Sequence, residues 1–463
     1  MSGSNQTVRD LVVIGGGITG LAAAFTAGSL GKSVTLLESG PRFGGSVVTY
    51  KEGGYVVEGG PHSFLVDQPE QEEFLKEAGL WDEAIESSPV SRKRFVVRKG
   101  KVTALPTSPG SFIMGSFLSI SGKLRLMAEP LLHGSAPEGE EAIGPWSERH
   151  FGREVRRGLV DPFVSGIFAG DPEKISLSSA FPKLFEIAEE HPSLFRAFLK
   201  RQKGMREKGE SRFPRRMISF ADGLGQMTEH LVREGSFGAI KKMVLQKIEK
   251  APHGWAVTFS LGSDTDPTTI HCRNLLVAVP PTALGELPFE ADLHEDLRVF
   301  QEVECPPVST LSIGYRREDI SHPLDGFGVL APKNEQRKIL GILFDSSLFE
   351  NRAPEGEVLV SAFLGGVRSP EAARESEESM LKSVTAECRD LLGARGEPTF
   401  WKATFWPRAI PQYNLGFRSI TAVLDSLEDR TEGLAFAGNA RDGVSLGACL
   451  LSGIRRARGL LLG

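Results

Sequence analysis

Residues 11–25 read LVVIGGGITGLAAAF: an apolar run, a group of glycines, then an alanine-rich apolar stretch. The pattern predicts a short buried strand over 11–14 and a helix from Leu21 onward. A second apolar run over 33–37 predicts another buried strand that ends at Glu38. From about 110 to 216 the apolar positions recur at helical spacing. Phe181, Leu184, Phe185 and Ala188 share one face, as do Leu194, Phe195, Phe198 and Leu199. FADGLG at 220–225 predicts a turn entering a helix, 239–260 a strand, turn and strand, and 275–279 a buried strand. Alternating apolar stretches from 308 to 365 predict an antiparallel sheet. The chain closes with a strand reaching Ala437, a glycine-rich loop and a helix from about Leu446.

This order is discontinuous. It predicts an α/β fold with α+β inserts, in which 1–88, 205–285 and 405–463 build one Rossmann-like nucleotide domain. A helical domain over 89–204 and a sheet domain over 286–404 are inserted into it. The segment 112–126 is apolar with few charges, and 200–216 carries eight basic residues against two acidic ones. Apolar helices beside a basic segment suit a membrane-facing surface. An ordinary helical subdomain with a solvated loop has the same composition.

Composition changes this picture little. A chain of 463 residues, 40% hydrophobic and 24% charged, has room for two or three cored domains. The net charge of −5 gives no reason to expect nucleic acid as a partner. Cys272, Cys305, Cys388 and Cys449 are scattered without a C-x-x-C, so neither a metal site nor a dithiol centre is expected. The polar start MSGSNQTVRD does not read as a secretory signal, and no apolar run of 18 residues occurs. These features predict a cytoplasmic protein, peripherally attached to membrane if the helical segment does face lipid.

The glycines carry the chemistry. Gly15, Gly17 and Gly20 form G-x-G-x-x-G between a predicted strand and helix, with Gly16, Ile18 and Thr19 completing the turn. The first glycine allows the turn, the second admits a diphosphate, and the third lets helix and strand pack closely. The diphosphate then meets the free N–H groups of the helix N-terminus. Glu38, followed by Ser39, is placed to accept from the ribose hydroxyls. Arg42 beside Gly44 and Gly45, and the turn Gly59, Gly60, Pro61, His62, add close-approach positions. His62 is a candidate base, or a turn residue beside the cofactor with no proton role. A single convincing nucleotide motif argues for a tightly held FAD and a reaction that ends on oxygen. A C-terminal helix N-terminus opposite the flavin would stabilise negative charge on its reduced form.

Taken together, GGGITGL, Glu38, RFGGS, VEGGPHSFL, SGIFAGDPEKISLSSAFPKL, WPRAIPQYNLG and AGNARDGVSLGACL resemble the oxygen-dependent protoporphyrinogen oxidases nearly end to end. The first four motifs are common to amine-oxidase-like flavoproteins; GIFAGDP and IPQYNLG are the specific ones. The C-terminal loop reads VSLGAC where several bacterial members carry Asn-Asp after the leucine, a plant-like departure at Gly447.

The resemblance implies an FAD domain, a substrate domain and a helical membrane-binding domain. It also implies three two-electron oxidations of a tetrapyrrole, with electrons passing from flavin to O₂ as peroxide. By motif, Arg94 takes a substrate propionate, Gly166 lies over the tetrapyrrole, and Leu330, Leu343 and Phe363 clamp its rings. Val244 meets the adenine, Trp406 lies near the flavin, and Gly438, Val444, Ser445 and Leu446 line the flavin from the C-terminal loop. No strong acid–base pair is evident, so the flavin carries the chemistry. A homodimer stays open. Coproporphyrinogen III oxidation shares the fold but wants more cations than Arg94. A polyamine oxidase would want acidic groups around the amine, and a carotenoid desaturase a longer channel without Arg94. A prenyl-protein chaperone of this fold would not need the intact glycine turn.

Overall fold

The computed structural model describes residues 8–106, 115, 117–131, 139–191, 193–197, 200, 213–262 and 266–463. Strand β1 (Arg9–Ile14) is fully buried from Leu11 to Ile14, as a central parallel strand must be. It runs parallel to β2 (Val34–Leu37) on one side and to Thr268–Val277 on the other. Gly238–Ile240 extends the sheet beyond β2. The long strand Thr268–Val277 serves two further partners on its other side. Its first half runs antiparallel to Gly254–Ser260, and its last three residues pair in parallel with Leu434–Phe436. Val244–Ala251 closes that side, making seven strands drawn from the beginning, middle and end of the chain. Helix α1 (Ile18–Ser29) packs on this sheet with all its residues from Ile18 to Gly28 buried.

The second sheet also has seven strands. Its order is Phe400–Trp406, Val308–Arg316, Glu357–Gly365, Ile339–Leu343, Gly328–Leu330, Phe95–Arg98 and Lys101–Ala104. All neighbours are antiparallel except Gly328–Leu330 with Phe95–Arg98. Two segments therefore sit elsewhere than their pattern suggested. Residues 95–104, expected within the helical domain, form a hairpin on this sheet; FVV is buried and β-branched, and it gains a ladder partner in Val329 and Leu330. Residues 286–303, expected in the sheet domain, pack on the nucleotide sheet instead. Leu287, Leu293, Leu297 and Phe300 join Ile248, Trp255 and Val257 in one core, and Ile248 N–H donates to Pro288 O at 2.8 Å. Phe405 and Trp406 likewise end a strand of the second sheet rather than beginning the nucleotide segment.

Helix Asp161–Phe168 packs on Gly328–Leu330 and Ile339–Leu343 of the second sheet and sends Val164 and Phe168 into the nucleotide core, where helices Ile143–Phe151 and Pro182–Glu190 also pack. Phe181, Leu184, Phe185 and Ala188 turn inward onto the nucleotide core, as their spacing requires. Leu194 packs there too, while Phe195 is exposed; Phe198, Leu199 and most of the basic run lie outside the described residues. Helix Ile120–Met127 behaves differently. Ile120, Leu124 and Met127, with Leu131 beyond it, form an exposed apolar stripe 62–78% accessible to solvent. Among the described residues no helix is long and apolar enough to cross a membrane.

Candidate active site

The glycine turn has the form its sequence predicts. Gly15 has φ +105°, which only glycine adopts readily. A Cβ on Gly20 would stand 1.8 Å from Gly15 O, so helix and strand touch there. A Cβ on Gly17 would meet nothing nearer than Gly45 Cα at 3.9 Å. Gly17 caps α1 without any side chain bonding to the first N–H groups, and no acidic residue occupies the first turn. Open space thus lies before an uncapped helix N-terminus, which suits a diphosphate. Glu38 closes one side: its carboxylate accepts from Gly16 N–H at 2.7 Å and Gly40 N–H at 2.6 Å. Each oxygen keeps a lone pair for a ribose hydroxyl. Ser39 is exposed beside it. Met243 N–H donates to Glu38 O, which brings the neighbouring, 55% exposed Val244 to this end of the cradle.

Arg42 turns inward on its own loop. It donates to Gly45 O at 2.6 Å and Val47 O at 3.1 Å, bracing the Gly44–Gly45 bend against Gly17. Gly59 O accepts from Trp406 Nε1 at 2.7 Å, and a Cβ on Gly60 would collide with Ser46 O. Gly59, Gly60 and Pro61 therefore tie the cradle to the second sheet. The C-terminal loop enters from the other side. Gly438, with φ +98°, lies against Thr19, and Ser445 caps helix Leu446–Leu462. Val444 and Leu446 flank that cap. A Cβ on Gly447 would fall 2.6 Å from Gln71 Nε2 and 2.9 Å from Leu65 O, so the departure at this position is a packing requirement here.

The motifs GIFAGDP, IPQYNLG and AGNARDG touch one another. Buried Gln412 donates to Phe168 O at 2.7 Å, joining IPQYNLG to GIFAGDP. Tyr413 OH donates to Asn439 O at 2.8 Å and accepts from Gly443 N–H at 3.0 Å, joining both to the loop before the last helix. Burial holds the Tyr413 phenol well above its ordinary pKa, so it acts here as a neutral hydroxyl.

The five expected substrate residues form one continuous surface. Leu330, Gly341 and Phe363 stand side by side on three adjacent strands, and Leu343 follows on the same face. Helix Asp161–Phe168 faces them. Gly166 is the point of approach, since a Cβ there would meet Leu330 Cδ2 at 2.9 Å. At one end the Arg94 guanidinium lies 4.5 Å from the Phe327 ring, and Phe327 packs with Leu343 and Phe363. Arg94 opens to solvent at its rim. Desolvation by the protein packed around it, and the charge of Arg215, both lower its pKa. Among the described residues no carboxylate pairs with Arg94. A carboxylate from a ligand would offset both effects.

Sequence reading singled out His62 as a candidate base but missed Phe327, Arg215 and Gln412 as individual site residues, and missed the partner of His62. His62 Nδ1 and Asp345 Oδ1 are 2.7 Å apart, both side chains over nine-tenths buried. The ring of His62 also meets Phe363 edge-on at 5.3 Å. Phe327 stands three residues before Leu330 on the same apolar stretch, a local signal. Asp345 lies 283 residues from His62 and has none. The sequence shows no acid–base pair; the fold assembles one between the Gly59–Gly60 turn and the sheet.

Against known proteins, the sequence profile of the flavin containing amine oxidoreductases matches residues 18–461. Protoporphyrinogen oxidase 2 of Arabidopsis thaliana is 30% identical over 97% of this chain and 93% of its own length. Coproporphyrinogen III oxidase of Bacillus subtilis is 27% identical over 96% of each. Among solved structures, an Exiguobacterium sp. 255-15 protein described as a protoporphyrinogen oxidase superposes with a TM-score of 0.80 at 23% identity, over 99% of this chain and 100% of its own.

Proposed function

The chain belongs to the flavin containing amine oxidoreductases, and on that premise we propose that it oxidises protoporphyrinogen IX to protoporphyrin IX. The premise makes it an FAD-dependent oxidoreductase. The observation that carries the choice of substrate is Arg94: a cation without a carboxylate partner among the described residues, beside an apolar surface. A flat, greasy tetrapyrrole with carboxylates on one edge matches that arrangement; a polyamine or a neutral polyene does not.

The residues divide the work. Gly15, Gly17, Gly20 and the N-terminus of α1 hold the diphosphate, Glu38 the ribose, and the Gly44–Gly45 and Gly59–Gly60 bends admit the cofactor closely. Leu330, Leu343 and Phe363 form the apolar face against which the macrocycle lies, and the Gly166 backbone packs on Leu330 at its edge. Arg94 fixes its propionate edge. FAD held by these residues would supply the two-electron chemistry of three successive oxidations, with O₂ as the final acceptor. The exposed stripe on helix Ile120–Met127 attaches the protein peripherally to a cytoplasmic membrane face, where apolar porphyrinogens partition.

Arg215 favours a second reading. It adds a positive charge near Arg94, and coproporphyrinogen III brings four carboxylates. Anaerobic mixing of the holoenzyme with each porphyrinogen separates the two. Protoporphyrinogen should bleach the flavin faster. Faster bleaching by coproporphyrinogen would establish the second reading, and bleaching by neither would overturn both.

A further inference from the structure

We propose that His62 is the proton acceptor of the oxidation and that Asp345 is the positioning residue that readies it. The proposal rests on the porphyrinogen reading above. Asp345 is acceptor-only when ionised, so the 2.7 Å contact fixes a proton on His62 Nδ1. The other ring nitrogen, Nε2, is then a bare acceptor. It is buried and has no hydrogen-bond partner. A well-packed interior avoids that unless something arrives to complete it. His62 follows the Gly59–Gly60 bend of the cofactor cradle, and its ring stands against Phe363 of the apolar surface. It lies where cofactor and substrate must meet.

The charges around it favour taking up a proton. Asp345 is hydrogen-bonded to the ring, Glu58 and Arg352 lie behind, and all four side chains are nearly inaccessible. Arg352 is 4.0 Å from Glu58 and also feels Asp345. Two carboxylates and one guanidinium leave one uncompensated negative charge. A protonated His62 brings the cluster to zero, so the proton is gained without burying net charge. Burial raises the pKa of Glu58, so this count applies where Glu58 is ionised.

The chemistry needs such a site. Each oxidation removes two electrons and two protons. One proton leaves with both electrons as a hydride, from a ring-bridging carbon to the flavin oxidant. The N–H bond of the adjoining pyrrole breaks, its electron pair forms the new double bond system, and the second proton goes to Nε2. Each proton must leave Nε2 before the next oxidation, and after the third one proton shifts from the remaining bridging methylene to a pyrrole nitrogen, which completes the conjugated macrocycle.

The test uses the FAD-loaded protein with ¹⁵N-labelled histidine, and the variants His62→Gln and Asp345→Asn. Nitrogen spectra of the wild type, without substrate, should show His62 as the Nδ1–H tautomer with an unprotonated Nε2. Asp345→Asn should abolish that fixed tautomer. In anaerobic flavin reduction by protoporphyrinogen, His62→Gln should keep its flavin and react about a hundredfold more slowly than the wild type. Asp345→Asn should lose about tenfold. An Nε2–H tautomer in the wild type overturns the proposal even if His62→Gln fails to fold. So does a His62→Gln protein that keeps its flavin and reacts within twofold of wild type. A wild type that no porphyrinogen reduces sinks the substrate reading first, and is told apart by that.

Discussion

At the scale of single residues, neighbouring glycines in one turn fail in different ways when replaced. Gly17 has ordinary backbone angles and open space before it, so Gly17→Val should fold normally. Its side chain would occupy the diphosphate position, and the protein should purify without yellow colour. Gly20→Val has no such room, with Gly15 O at 1.8 Å from the new Cβ, and should give little soluble protein. Flavin absorbance against far-ultraviolet circular dichroism distinguishes the two. Arg94 is the other residue with a sharp expectation. Its exposure at the rim argues for the low end of a charged hydrogen bond, about 1.5 kcal/mol. Arg94→Ala should therefore raise KM for protoporphyrinogen roughly tenfold, with kcat and flavin content little changed. An unchanged KM would remove Arg94 from the site. What the sequence reveals at this scale depends on distance along the chain. Gly15, Gly17, Gly20 and Glu38 act within one strand–helix–strand unit, so their spacing is their signal. Asp345 acquires its meaning only from His62, and no spacing rule spans that gap.

Among the described elements, helix Ile120–Met127 carries an apolar stripe without protein cover. Double replacement of Leu124 and Met127 by glutamate should leave folding intact, since both side chains are already over 60% exposed. Sedimentation with anionic liposomes should drop severalfold relative to the wild type. Equal sedimentation of both would place membrane attachment elsewhere. Element types were legible where periodicity was long, as in α1 and in helix Pro182–Glu190. The hairpin at 95–104 was not. Four-residue strands carry too little periodicity to stand out beside helices, and their pairing partner lies more than two hundred residues onward. Residues 286–303 were misplaced for a related reason: a short helix that covers a sheet reads the same whichever sheet it covers.

For the molecule as a whole, burial controls the thiols. It raises Cys272, Cys388 and Cys449 to about 12 and Cys305 to about 11. Few thiolates exist at pH 8, and three of the four are enclosed. The native protein should take up almost no iodoacetamide at pH 8, while the denatured chain should take up four equivalents. Fast labelling of the native state would mean that one of these cores opens.

The nucleotide sheet has a consequence for how the protein is made. β1 is finished as soon as residue 14 emerges, yet its partner Thr268–Val277 follows some 250 residues later, and Leu434–Phe436 comes almost at the end. At about 5–20 residues per second, the ribosome delivers that last strand roughly 20–80 s after the first. For most of that time the alanine-rich surface of α1 lacks the C-terminal helix that covers it. The nascent chain must therefore be kept from sticking to its neighbours while it waits. Slowing synthesis after residue 14 would lengthen that exposure, and the yield of soluble protein should rise with the supply of holding chaperones.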